Sequence, residues 1–248
     1  MRSSSMHYLP LTPLFVLLLI LLLVIVVALI ELRILSYAYE KMGINRRYVF
    51  LLLLLSLLGS YVNIPVAELP SKPGLHSDEV ITYYGVQHVV PSVEEWPRTI
   101  IAVNLGGAVI PTFLSVYLML KNGLLMRGLI GIAMVTVIVH WLAQPVKGLG
   151  ISVPIFIPPI VSAAVALLVD RRFAAPLAYI SGTLGTLLGA DILNLHRIQE
   201  LDAPVASIGG AGTFDGVFLT GIIAVLLVPT SSQFHPRPEY RLERPAQY

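Results

Sequence analysis

Leu14 to Ile30 is a run of seventeen consecutive apolar residues. As a helix it would extend about 25 Å at 1.5 Å per residue, close to the hydrocarbon thickness of a bilayer. It is longer than the roughly 7 to 15 apolar residues of a signal peptide. It continues into Glu31 and Arg33 without a small-x-small cleavage site, and so reads as a retained membrane helix.

Six further segments approach the roughly 20 apolar residues that a span requires. The seven lie near residues 12–34, 47–64, 98–120, 124–142, 151–169, 174–193 and 206–228. Only 12% of residues are charged, against about a quarter in soluble domains, and the mean hydropathy is +0.82. The expected fold is therefore all-α, a polytopic integral membrane protein in the cell membrane with the lipid bilayer as its first partner. Residues 1–230 read as one seven-helix transmembrane domain with an outer loop over 67–97. Residues 231–248, rich in proline and charge, read as a flexible cytoplasmic tail.

Orientation follows from the basic residues, which collect on the cytoplasmic side of membrane proteins. An outside N-terminus puts eleven of the sixteen inside: Arg33, Lys41, Arg46, Arg47, Lys121, Arg127, Arg171, Arg172, Arg237, Arg241 and Arg244. Five remain outside, namely Arg2, Lys72, Arg98, Lys147 and Arg197, so the topology reads N-out and C-in. The net charge of +2, spread over short loops, argues against a nucleic-acid partner. The lack of cysteine excludes thiolate metal sites and cysteine nucleophiles, and no cofactor signature is present.

The outer loop carries Val80-Ile81-Thr82-Tyr83 and Val86-Gln87-His88-Val89 on either side of Tyr84-Gly85, the pattern of a short β-hairpin. His76, Asp78, Glu79 and His88 are metal-ligating residue types, but they show no established ligand spacing, and no metal is expected.

Two carboxylates fall within or at the lip of apolar segments: Asp191 near the end of the sixth and Asp215 about nine residues into the seventh. An ionisable group in hydrocarbon costs about 3 kcal/mol on insertion scales, so such residues face a partner, a cavity or a transported species. Asn63, Asn104, Asn194 and Thr112 supply neutral hydrogen-bonding groups around them, and Gly209, Gly210 and Gly212 supply irregular backbone. His140 and Trp141 read as residues of the outer interface.

The chain also resembles itself. LLGSYVN (57–63) is similar to LLGADILN (187–194), and NLGGAVIPTFLS (104–115) to SIGGAGTFDGVFLT (207–220). Superposing the GGA triplets puts Gly106 on Gly209, Gly107 on Gly210 and Thr112 on Asp215. In the N-out topology the two halves run the same way, a parallel repeat of three helices, a linker helix and three helices. Repeats with glycine- or proline-interrupted helices point to a transporter site between the halves.

This layout resembles that of the SWEET sugar transporters, in architecture alone. Gly189-Ala190-Asp191 resembles the GxGD motif of the presenilin and signal peptide peptidase family, and Phe214-Asp215 its YD motif. That resemblance implies an aspartyl intramembrane protease with Asp191 and Asp215 as the catalytic pair. The two strings stand here in reverse chain order. LLGSYVNIPV, AVNLGGAVIPTFLS, GADILNL and IGGAGTFDGVFLTGIIAVLL are similar to a family of bacterial and archaeal multi-pass membrane proteins known as domain of unknown function 1614.

Three functions follow as expectations. The first is a small-solute or cation/proton-coupled transporter with an intramembrane aspartate site. The second is the aspartyl protease. The third is a non-catalytic subunit or assembly factor, as a homo-oligomer or in a larger membrane complex.

Overall fold

The computed structural model describes residues 13–70, 80–83, 86–89, 98–146, 150–200, 203–210 and 216–230. The chain opens with α1 (Pro13–Lys41) and α2 (Arg46–Gly59), whose Asn45 side chain caps the first turn by accepting from the Arg47 amide. Strand β1 (Asn63–Pro70) and the hairpin β2 (Val80–Tyr83) and β3 (Val86–Val89) follow. Strand β4 (Arg98–Asn104) runs directly into a π-helical turn at Leu105–Val109 and then α3 (Ile110–Lys121). Helix α4 (Leu125–Leu142) leads to the small hairpin β5 (Gln144–Val146) and β6 (Gly150–Ser152), then α5 (Ile157–Val169). Helix α6 (Ala174–Thr186) continues through a second π-helical turn, Leu187–Asp191, into a 3₁₀ stretch, Ile192–Glu200. Strand β7 (Val205–Ile208) and α7 (Gly216–Leu227) complete the described residues.

Seven α-helices are thus present among the described residues, but the all-α expectation is corrected by three small sheets. The hairpin pairs Val80 with Val89 and Tyr83 with Val86, in the register that a Tyr84-Gly85 turn requires. The larger sheet has the order β1-β4-β7, with β1 antiparallel and β4 parallel to β7. Residues 98–104 and 206–208 were expected to be helical. Both are short, largely apolar runs rich in β-branched residues, which periodicity alone cannot tell from helix. After β7, Gly209 and Gly210 have φ of +81° and +83°, which a right-handed helix cannot pass through. Pro65 and Pro70 fall in β1, an edge strand, where the missing amide hydrogen is tolerated.

Among the described residues, three helical stretches are long and apolar enough to cross a membrane: Val16–Lys41, Leu125–Leu142 and Arg171–Ile198. The last of these is the axis of the fold. Every residue of α6 except Leu184 is buried, because Ala, Ser and Gly along it let α4, α5, α3 and α7 approach closely. Helix α1 joins this core only through its final turns, where Ala38 and Tyr39 are buried, and through Met42 just beyond it.

Candidate functional site

The two glycine pairs meet. A Cβ on Gly107 would stand 2.0 Å from the Gly209 carbonyl oxygen, and one on Gly106 2.1 Å from the Ser56 carbonyl oxygen. Only residues without a Cβ permit backbone to cross backbone at that separation. The two similar segments also share a layout, since each runs from strand through a Gly-Gly pair towards a helix, and their strands lie side by side with Val103 opposite Ile208. The upstream pair does not match. Helix α2 ends at Gly59, whereas the LLGADILN segment stays helical through its π and 3₁₀ turns.

Asn104 fixes this crossing. Its Nδ2 donates to the Ser60 carbonyl oxygen at 2.7 Å and to Asn63 Oδ1 at 3.0 Å, and its Oδ1 accepts from the Gly107 amide at 2.7 Å. One side chain, 1% exposed, thereby ties the end of α2, the start of β1 and the π-turn together. Asn63 Oδ1 lies 2.7 Å from Ser207 Oγ, which is also 2.6 Å from the Gly210 carbonyl oxygen. The serine hydroxyl has one hydrogen and donates to one of them at a time.

Asn194 plays a similar part at the second π-turn. Its Nδ2 lies 2.9 Å from the Gly189 and 3.0 Å from the Ala190 carbonyl oxygen, and 3.2 Å from His140 Nδ1. A π-turn leaves carbonyls without their helical partners, and this amide satisfies them. His140 therefore contacts the end of α6 as well as standing beside the exposed Trp141.

Asp191 ends the same π-turn, half-buried, and its Oδ2 accepts from the Gly209 amide at 2.7 Å. The carboxylate links the end of α6 to the glycine pair that follows β7. It also lines a cavity of about 400 Å³ bounded by β6, the start of α5, the end of α6, β7 and the start of α7. Ser152, Thr186, Ser207 and Thr220 supply the rest of the polar wall, and Ile151, Leu195, Ile198 and Val217 much of the apolar part. Gly210 and Gly216 lie in the same wall.

Of the residues expected at the site, Asp191 and Gly210 line this cavity, while Asn63, Asn104, Asn194, Thr112 and Gly209 are outside its lining. The two asparagines 104 and 194 spend their amide hydrogens on protein carbonyls and side chains. Gly212 and Asp215 lie outside the described residues. The expectation that the last helix begins near residue 206 is corrected, since β7 occupies Val205–Ile208. Ser152, Thr186, Ser207 and Thr220 were missed. Ser207 carried a signal, because the GGA alignment sets it opposite Asn104.

Among the described residues no three histidine, aspartate or glutamate side chains gather as a metal site would need. His76, Asp78 and Glu79 lie outside them, and of His88 only the backbone is described. A family model described as a protein of unknown function, DUF1614, matches residues 57–227, and the chain belongs to that family. Comparison with curated proteins and with solved structures returned no match.

Proposed function

We propose that this family member is a multi-pass membrane protein, N-out and C-in, that binds a small solute or cation beside Asp191 and carries it across the bilayer. The observation that carries the reading is the cavity of about 400 Å³ in which a carboxylate and four hydroxyl-bearing side chains stand in an otherwise aliphatic wall. Ligand sites are concave, mostly apolar and furnished with a few convergent polar groups. Membrane residence is supported by α1, where Val16 to Ile30 expose their side chains on every face, a surface that water would not tolerate and lipid would cover. The glycine crossing beneath the cavity supports movement between two arrangements, because irregular backbone at the junction of two similar segments is where transporters bind and rock.

The test is flux in proteoliposomes loaded with a pH dye and offered candidate cations and small polar solutes. Asp191→Asn should abolish a flux that the parent protein supports, and an unchanged flux overturns the reading. Aspartyl proteolysis is the second reading, favoured by one observation: Gly216, which follows Asp215 in the chain, lines the same cavity as Asp191. It requires cleavage of a membrane-embedded peptide that is lost in both Asp191→Asn and Asp215→Asn.

A further inference from the structure

A second cleft adjoins the glycine crossing. It has a volume of about 210 Å³ and is open on one side between α1 and α2. Leu32, Leu53, Leu57 and Phe218 are among its walls, and Gly106 and Gly107 lie at its base. For scale, an engineered apolar cavity of about 150 Å³ admits benzene. One charged residue lines the cleft, Glu31.

Glu31 is exposed, ten residues and therefore about 15 Å along α1 from Lys41. It makes no hydrogen bond or ion pair with any described residue. Arg33 does not lie in the cleft, since residues two apart on a helix point about 200° from one another. The cleft's other polar groups are committed within the protein: Ser60 Oγ donates to the Leu57 carbonyl oxygen at 2.7 Å, the Gly107 amide donates to Asn104, and the Ser56 side chain hydrogen-bonds with Tyr39. What the cleft offers a ligand is thus an aliphatic channel with one uncompensated carboxylate.

We propose that this cleft binds a cationic amphiphile, a single alkyl chain ending in an amine or quaternary ammonium. The chain lies between α1 and α2, and the cationic end meets Glu31. Burying the alkyl chain against leucine costs nothing in a lipid environment, so selectivity comes from the charge. A carboxylate-headed chain of equal length is repelled by the same residue. The site is separate from the cavity at Asp191, and its test does not depend on any transported solute.

The experiment is native mass spectrometry of the full chain in a neutral maltoside detergent, titrated with dodecyltrimethylammonium or with dodecanoate. The parent protein should bind one dodecyltrimethylammonium at least about tenfold more tightly than dodecanoate, the scale expected of a single partly solvated charge contact. Glu31→Gln should erase the preference, and Glu31→Lys should reverse it in favour of dodecanoate. Leu57→Trp, which fills the cleft from an exposed position, should reduce binding of both chains without lowering the melting temperature. Equal binding of the two amphiphiles by the parent protein, or an unaltered preference in Glu31→Gln, overturns the proposal.

Discussion

Helix α6 buries twelve of its thirteen residues, whereas α1 buries none between Val16 and Ile30. Both are apolar, and α1 is the more hydrophobic of the two, so hydrophobicity did not decide which one became the core. Side-chain size did. The sequence AAPLAYISGTLGT presents methyl groups, hydroxyls and bare Cα atoms, and each neighbouring helix can reach the α6 backbone. Leu, Val and Ile cover α1 and hold other helices at a distance. In the membrane setting proposed above, the medium is as apolar as leucine, so close packing rather than burial drives helix association and small residues win. The same logic explains the clefts, because they open where α1 and α2 stand off from the rest of the bundle.

The most severe test of this contrast is at the seam that joins the two regions. Gly106→Ala would drive a methyl group to 2.1 Å from the Ser56 carbonyl oxygen and 2.4 Å from the Ser60 amide nitrogen, both backbone atoms that cannot rotate away. We expect a loss of more than about 3 kcal/mol, at the top of the overpacking range, and detachment of α2 from the π-turn. Thermal melting in detergent with limited proteolysis of the α2 segment would register it. A melt equal to the parent's would mean that the seam is not close-packed.

Next in size is a matched pair of truncations. Leu177→Ala, in the buried face of α6, should cost about 2–3 kcal/mol through the cavity it leaves. Leu22→Ala, in the exposed stretch of α1, should stay within about 0.5 kcal/mol. If the two melts shift equally, α1 is packed against something the isolated chain does not contain.

Lys41 is where the loose flank is fastened. Its buried ammonium donates to the carbonyl oxygens of Val225 at 2.9 Å and of Val228, capping the C-terminus of α7, where carbonyls lack helical partners. Four residues earlier, Tyr37 shares a hydrogen bond of 3.0 Å with Thr230. Lys41→Met should cost about 1–2 kcal/mol, a charge-assisted bond lost from a helix end, and Lys41→Arg should recover part of it. Melting of both variants checks the order; a neutral Lys41→Met would show that α7 needs no cap.

The sequence made some of this legible and not the rest, for physical reasons. Most of the helices were readable because a long apolar stretch favours helix, and the β2–β3 hairpin because its alternating flanks are local. The GGA strings were readable as a matched pair, and they touch. The strands at 98–104 and 205–208 were hidden because their apolar runs fit a helix equally well and their pairing spans about a hundred residues. That error moved the start of the last helix to residue 206. Asn104 and Asn194 look like solute ligands in a string of letters. Only the fold shows that the free carbonyls of a helix end and a π-turn stand within reach of their amides.

The smallest expected effect lies within the tight region itself. Arg127, in the first turn of α4, pairs with Asp170 at 2.6 Å, and Asp170 in turn accepts from the Arg172 amide at 2.8 Å to start the turn into α6. This is the one ion pair among those described that joins two helices of the core. Its arginine is half-exposed, so water competes for the charge, and such pairs contribute little. Arg127→Met should cost about 0.5 kcal/mol and become neutral in high salt, whereas Asp170→Ala should cost more, about 1 kcal/mol, because the cap is lost with the pair. Melts of both variants at low and high salt distinguish the two contributions. If Arg127→Met matched Leu177→Ala in cost, electrostatics rather than small-residue packing would be holding the core, and the contrast between α6 and α1 would need a different cause.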